Sequence, residues 1–120
     1  MMVAVDRSRY SHEGIKSHRE FVINYPAEEQ AGSALVCGTK SGRNMDKISL
    51  TGLELMKSTH VNVPTIKDCV AAFECRLEDS FEAGDHTLFV GRVVGITGSQ
   101  EKSRHLFVTG NNSFVSLNGI

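Results

Sequence analysis

Gly84-Asp85-His86-Thr87-Leu88-Phe89-Val90-Gly91-Arg92-Val93-Val94-Gly95-Ile96 is the stretch on which the fold turns. At the two-residue repeat of a strand, Leu88, Val90 and Val94 share one face, and Phe89 and Val93 share the other. A strand that is apolar on both faces is covered on both, in a barrel interior or at a subunit interface. Gly91 and Gly95 mark bends or close backbone approaches within it. Just upstream, over residues 71–79, Phe73, Cys75 and Leu77 alternate with Glu74, Arg76 and Glu78, the pattern of a half-exposed strand. Downstream, residues 105–108 and 114–117 are joined by Thr109-Gly110-Asn111-Asn112-Ser113, a hairpin turn.

The N-terminal half mixes short strands with short helices. Residues 2–6 read as a strand ending in the polar turn Asp6-Arg7-Ser8-Arg9-Tyr10. Ser11 is placed to cap a short helix over residues 12–18, with Glu13 in its first turn and Gly14 weakening it. Phe21, Val22 and Ile23 lie in a buried strand over residues 20–25. Pro26 suits the first position of a helix, with Glu28 and Glu29 in its first turn. Ala27, Ala31, Ala34 and Leu35 fall on one helical face, and Gly38 stands where a cap would end the helix. Residues 38–46 read as a loop, residues 46–50 as a short helix ended by Gly52, and residues 53–67, with Pro64, as irregular. Antiparallel strands with short helices in the connections predict a mainly β fold, a small barrel formed as one domain over residues 1–120.

Composition narrows the function. Thirteen basic residues meet fourteen acidic ones, so no bulk field draws the chain to nucleic acid or to an anionic membrane. No run approaches the roughly 20 apolar residues of a membrane span, and no secretion signal is recognisable at the N-terminus. Cys37, Cys69 and Cys75 form no CxxC pair. An odd count favours free thiols in a reducing cytoplasm, packed as small hydrophobes. The histidines show no metal-ligand spacing, and neither HExxH nor GxSxG occurs.

Three segments could carry chemistry. Arg7-Ser8-Arg9-Tyr10-Ser11 brings guanidinium groups, hydroxyls and a helix start together, a combination that suits an anion; by spacing alone an exposed turn with an ordinary cap is the default. Cys37-Gly38-Thr39-Lys40-Ser41-Gly42-Arg43 lacks the GxxxxGK[ST] spacing and follows a helix where a phosphate loop precedes one, so a nucleoside triphosphate is not its ligand. Lys40, Arg43 and Lys47 could still line a pocket for an anion, or form a solvated cluster. Gly84-Asp85-His86-Thr87 sets a histidine beside an aspartate at a strand mouth, as a proton donor, as a hydrogen-bonding group for a ring ligand, or as a structural histidine.

In their order and spacing these segments resemble the flavin-reductase-like, FMN-binding split-barrel family, which includes flavoredoxin and FMN-binding ferric reductases. The resemblance runs through Val3-Ala4-Val5 with Ser8-Arg9-Tyr10-Ser11, through Phe21-Val22-Ile23-Asn24 and Pro26, and through Cys37 to Arg43 with Asp46-Lys47. It continues through Ile66-Lys67-Asp68-Cys69 and Phe73-Glu74-Cys75. Gly84-Asp85-His86-Thr87-Leu88-Phe89-Val90-Gly91 is similar to the family's "GDHTLFVGEV".

The resemblance implies an FMN-binding barrel, a homodimer with sites near the subunit interface. Carried over by position, Ser8, Arg9 and Ser11 contact the FMN phosphate, with Arg7 and Tyr10 in the same turn as further cofactor contacts. Lys40, Ser41 and Gly42 lie in a loop near the flavin, with Lys47 beyond them, and His86 sits close to the isoalloxazine ring as the candidate catalytic residue. The implied activity passes electrons through FMN from reduced nicotinamide, NAD(P)H, or from an electron-transfer protein to an acceptor. A non-catalytic barrel remnant that dimerises, holding flavin weakly or not at all, is the alternative, and a module for another phosphorylated small molecule is a third. Two departures bear on the choice. Arg92 stands where the family has glutamate, and the family has strands ahead of the segment matching Met2-Val3. A barrel incomplete at its N-terminal end, with weak binding and slow turnover, is therefore expected.

Overall fold

The computed structural model describes residues 1–39, 51–98, 104–110 and 113–118. Within them the chain is mainly β with two short α-helices. Strand β1 (Met2–Asp6) leads into helix α1 (Tyr10–His18) and strand β2 (Glu20–Tyr25). A 3-10 turn (Glu28–Gln30) opens helix α2 (Ala31–Thr39). Two short strands, β3 (Leu55–Met56) and β4 (Thr65–Ile66), precede the long pair β5 (Ala71–Ala83) and β6 (His86–Gly98). The pair β7 (Arg104–Gly110) and β8 (Ser113–Asn118) follows. The main sheet has the order β1-β6-β5-β2, all antiparallel.

The decisive stretch is an interior strand of that sheet, bonded to β1 on one side and β5 on the other. Its two apolar faces differ along its length. Thr87, Phe89 and Gly91 are buried and Leu88 and Val90 half-buried, but Val93 and Ile96 face solvent, Ile96 at 67% exposure. The core gathers Ile15 from α1, Phe21 from β2, Cys75 from β5 and Phe89 from β6, with Val3, Val5, Ile23, Phe73 and Leu77 packed around them. Phe89, 1% exposed, contributes about 1.5–3 kcal/mol of burial by itself. Gly91 permits this packing: a Cβ there would meet Phe21 Cζ at 2.5 Å and Cys75 Cβ at 2.8 Å.

The alternation expected over residues 71–79 is kept, with Phe73, Cys75 and Leu77 on the core side, but Glu74 on the other face is buried instead of exposed, because its carboxylate takes the backbone N–H groups of residues 59–61. A register shift opposite Glu74 and Cys75 places its extra residue, Val94, in β6. A second shift lies between Leu77 and Asp79, and β5 runs on to Ala83. There Gly84, with φ 62°, supplies the positive dihedral that a two-residue hairpin turn needs before His86.

Several boundaries differ from expectation for local reasons. Arg9, not Ser11, is the N-cap residue of α1, with φ −77° and ψ 143°, and Ser11 lies inside the first turn. The turn before it is shaped by Asp6, whose Oδ1 accepts from Ser8 N (2.8 Å) and Ser8 Oγ (2.7 Å). Pro26 stands one residue ahead of the cap of the 3-10 turn. That cap is Ala27, whose N–H donates to Gln30 Oε1 at 2.8 Å. Gly38 lies within α2, which runs to Thr39. Part of the region expected to be irregular is ordered as the β3–β4 pair, whose two-residue strands are too short to show a repeat. The expected hairpin is the β7–β8 pair. The short helix expected over residues 46–50 lies outside the described residues.

Candidate functional site

Register brings the first and third sequence segments together. Asp6, the last residue of β1, pairs with His86, the first of β6. Arg7, Ser8, Arg9, Tyr10 and Ser11 therefore follow on at the same end of the sheet as the turn carrying Asp85 and His86. Arg9 N–H donates to Asp6 O (3.0 Å) and His12 N–H to Arg9 O (3.1 Å), so the chain reverses tightly into α1. The first N–H groups of a helix have no carbonyl partner of their own, and the helix dipole makes that end favourable to negative charge. Lys40, Ser41, Gly42, Arg43 and Lys47 lie outside the described residues.

The individual groups are already in use in different ways. Ser8 donates from both its N–H and its hydroxyl to Asp6. Those bonds, from the backbone first and the hydroxyl second, hold the Asp6 carboxyl below its ordinary value. Arg7 donates from Nη2 to Gly84 O (2.5 Å) and from Nη1 to His86 O (3.5 Å), while its N–H meets Asp85 O at 3.1 Å. His86 Nδ1 lies 2.7 Å from Asp85 Oδ1. That hydrogen bond, with one from the backbone of Asp85, holds the Asp85 carboxyl low.

Asp6, Asp85 and His86 bring ligand-type atoms within 4.8 Å of one another. The Asp85 carboxylate is engaged with the His86 ring, and the Asp6 carboxylate with Ser8.

Beneath this surface lies a histidine that no sequence motif singled out. His12 is 8% exposed, its Nε2 lies 2.8 Å from Thr87 Oγ1, and its ring sits 5.2 Å from that of Phe89. His12 and Ile15, the buried residues of α1, are three apart, a helical spacing that could have flagged the pair as an inward face. Glu74 was also missed. Its carboxylate accepts from Thr59 N–H at 3.1 Å, His60 N–H at 2.6 Å and Val61 N–H at 3.2 Å. Burial opposes its ionisation, but the three backbone donors outweigh burial and hold its carboxyl below the ordinary value. Alternation alone does not reveal it, because the polar face of β5 is covered at Glu74 by residues 59–61.

Arg92, the departure within β6, donates to Glu78 Oε1 across the strand pair at 2.6 Å, with both side chains largely exposed. None of the three cysteines is in a disulfide; burial pushes the Cys69 and Cys75 thiols up, as expected of packed hydrophobes. Among the described residues no helix is long and apolar enough to cross a membrane.

Comparison with known proteins agrees with this geometry. An uncharacterised protein of Archaeoglobus fulgidus is 43% identical over 95 residues, 79% of this chain and 54% of that protein. A flavin reductase of Pseudomonas putida is 33% identical over 105 residues, 88% of this chain and 58% of its own. The chain thus spans about half the length of these relatives. The crystal structure of an FMN-binding protein from Thermus thermophilus with bound p-hydroxybenzaldehyde superposes with a TM-score of 0.88 at 25% identity. That match covers 99% of this chain and 69% of the other. The architecture is accordingly that of the flavin-reductase-like, FMN-binding split barrels. Residues 1–117 match the flavin reductase like domain, and the chain belongs to that family.

Proposed function

We propose that the chain is a flavin-binding redox domain that holds FMN by its phosphate at the start of α1, with the ring directed to the His86 end of β6. The observation that carries this reading is the β1–β6 register, in which the Arg7–Ser11 turn and the His86 turn meet at one end of the sheet. The donor set suits a phosphate ester: the first turn of α1 opens behind Arg9, a guanidinium able to hold two phosphate oxygens, with the Ser11 hydroxyl inside that turn. Family membership and the likeness to a flavin reductase and to an FMN-binding protein support the same ligand.

The flavin, when bound, supplies the redox chemistry, taking electrons from reduced nicotinamide or a protein donor and passing them to an acceptor. The protein's part is to bind and orient it. Arg9 and the α1 N-terminus fix the phosphate, and His86, kept in place by Asp85, offers an imidazole N–H or lone pair at the ring end. Lys40, Ser41, Gly42 and Lys47 belong to the same proposal by resemblance. Three cysteines without a disulfide fit a reducing compartment such as the cytoplasm. Val93 and Ile96, solvent-facing on β6, fit coverage by a second copy in a homodimer.

A second reading, a barrel that holds flavin weakly and turns over slowly, is favoured by Asp6. Its carboxylate already takes the Ser8 donors and places a negative charge beside an incoming phosphate. The absorption spectrum of the purified chain, with and without added FMN, tests the proposal. Bound flavin retained through gel filtration supports it, and a colourless chain that takes up no FMN overturns it. NADH oxidation in excess FMN then separates the two readings, brisk saturable turnover supporting the first.

A further inference from the structure

Arg7 commits its side chain to backbone carbonyls across the sheet end. Its guanidinium reaches Gly84 O and His86 O, and its own N–H reaches Asp85 O. All three residues from Gly84 to His86 are thereby tied to a single residue of the β1–α1 connection. A planar fork with several fixed donors suits that task, because it can span two acceptors at once. The next residue, Thr87, is held by the buried His12 on α1 through its hydroxyl. The turn that delivers His86 is thus gripped at consecutive residues. His86 needs such help: its side chain is 43% exposed, and hairpin tips are otherwise among the more mobile parts of a sheet.

We propose that Arg7 is a positioning residue for His86, fixing the 84–86 turn through its carbonyls, and that it is not a ligand of the cofactor phosphate. That task is left to Arg9 and the start of α1. The inference rests on the flavin reading for what His86 faces. Asp85 completes the arrangement, since its backbone carbonyl is held by Arg7 and its carboxylate by the imidazole.

FMN and riboflavin share the ring and differ in the phosphate, so their affinities separate the two roles. Titrations of the wild-type chain, Arg7→Gln, Arg7→Lys and Arg9→Ala are compared, together with the imidazole resonances of the flavin-free proteins. The His86 resonances are identified by their loss in His86→Ala. Arg7→Gln is expected to keep the ratio of FMN to riboflavin affinity within about twofold of wild type while moving the His86 resonances. Arg7→Lys, which reaches one carbonyl but cannot fork across two, is expected to restore part of that change. Arg9→Ala is expected to collapse the ratio and leave the His86 resonances in place. A fall in the ratio of roughly tenfold or more in Arg7→Gln, the size of a lost charge-assisted bond to phosphate, overturns the proposal. So do unchanged His86 resonances. A wild-type chain that takes neither flavin sinks the functional reading, and the resonances still decide the clamp.

Discussion

Glu74 and Asp6 each accept hydrogen bonds from the backbone of a neighbouring turn, one opposite Gly95 on the strand ladder and the other opposite His86. Their surroundings set them apart. Glu74 is 2% exposed and satisfies three N–H groups of residues 59–61, whereas Asp6 lies at the surface end of β1 and takes the two donors of Ser8. A buried carboxylate in this role holds two parts of the chain together, because removing it leaves backbone donors at least partly shielded from water without their partner. A surface carboxylate shapes a turn at little cost, and its charge remains available to act on whatever binds nearby. Gly95 shows how closely the buried clamp is fitted: a Cβ there would meet His60 Nδ1 at 2.6 Å and Glu74 Cδ at 3.2 Å.

The largest expected effect therefore belongs to Glu74. Glu74→Ala should cost about 2–4 kcal/mol of stability in urea unfolding, the size of losing charge-assisted bonds to buried donors. The pH dependence has a definite sign. The folded carboxyl titrates below its ordinary value near 4.5. The stability it contributes is thus fully present above that value and is lost as the pH falls through the lower, folded-state value. The gap between wild type and Glu74→Gln should narrow on acidification over that window and stay constant near neutrality. A gap that does not change with pH would mean that the charge is not what holds residues 59–61.

Asp6 should behave oppositely. Asp6→Asn keeps the oxygen that receives Ser8 and removes the charge, so unfolding should change little. FMN affinity, read by flavin fluorescence, should rise roughly severalfold as the repulsion on the phosphate goes. A fall in affinity would show that the carboxylate helps the site. The smallest effect is expected at Arg92, whose bond to Glu78 is an exposed ion pair. Arg92→Ala should alter unfolding stability by no more than about 0.5 kcal/mol, and a larger loss would break the distinction between buried and exposed carboxylates drawn here.

The same contrast explains what could be read from residues alone. The antiparallel β character, the hairpin joining residues 105–108 to 114–117, and the close approach at Gly91 follow from periodicity and glycine position, and each is present. The convergence of the Arg7–Ser11 turn with His86 came only through family resemblance, since no local pattern relates residues so far apart in the chain. Glu74 escaped because the face it takes is covered by residues 59–61, a segment distant in sequence that no strand periodicity announces. The capping role expected of Ser11 failed because Asp6 had already closed the turn, starting α1 earlier. Within the single chain the doubly apolar strand is covered over its first half, where β1 and β5 flank residues packed on the core, and exposed at Val93 and Ile96, the part that the subunit-interface expectation concerns.

In the proposed site one FMN molecule touches the start of α1 with its phosphate and the His86 turn with its ring. Nuclear magnetic resonance tests this directly, by following the phosphorus signal of FMN and the imidazole signals of His86 in one titration of the wild-type chain and of Arg9→Ala. Both signals are expected to move together and saturate at the same FMN concentration. In Arg9→Ala both should saturate later, by an affinity loss of about 1–3 kcal/mol. A phosphorus signal that stays in place while His86 responds, or equal affinities in the two proteins, would contradict that arrangement.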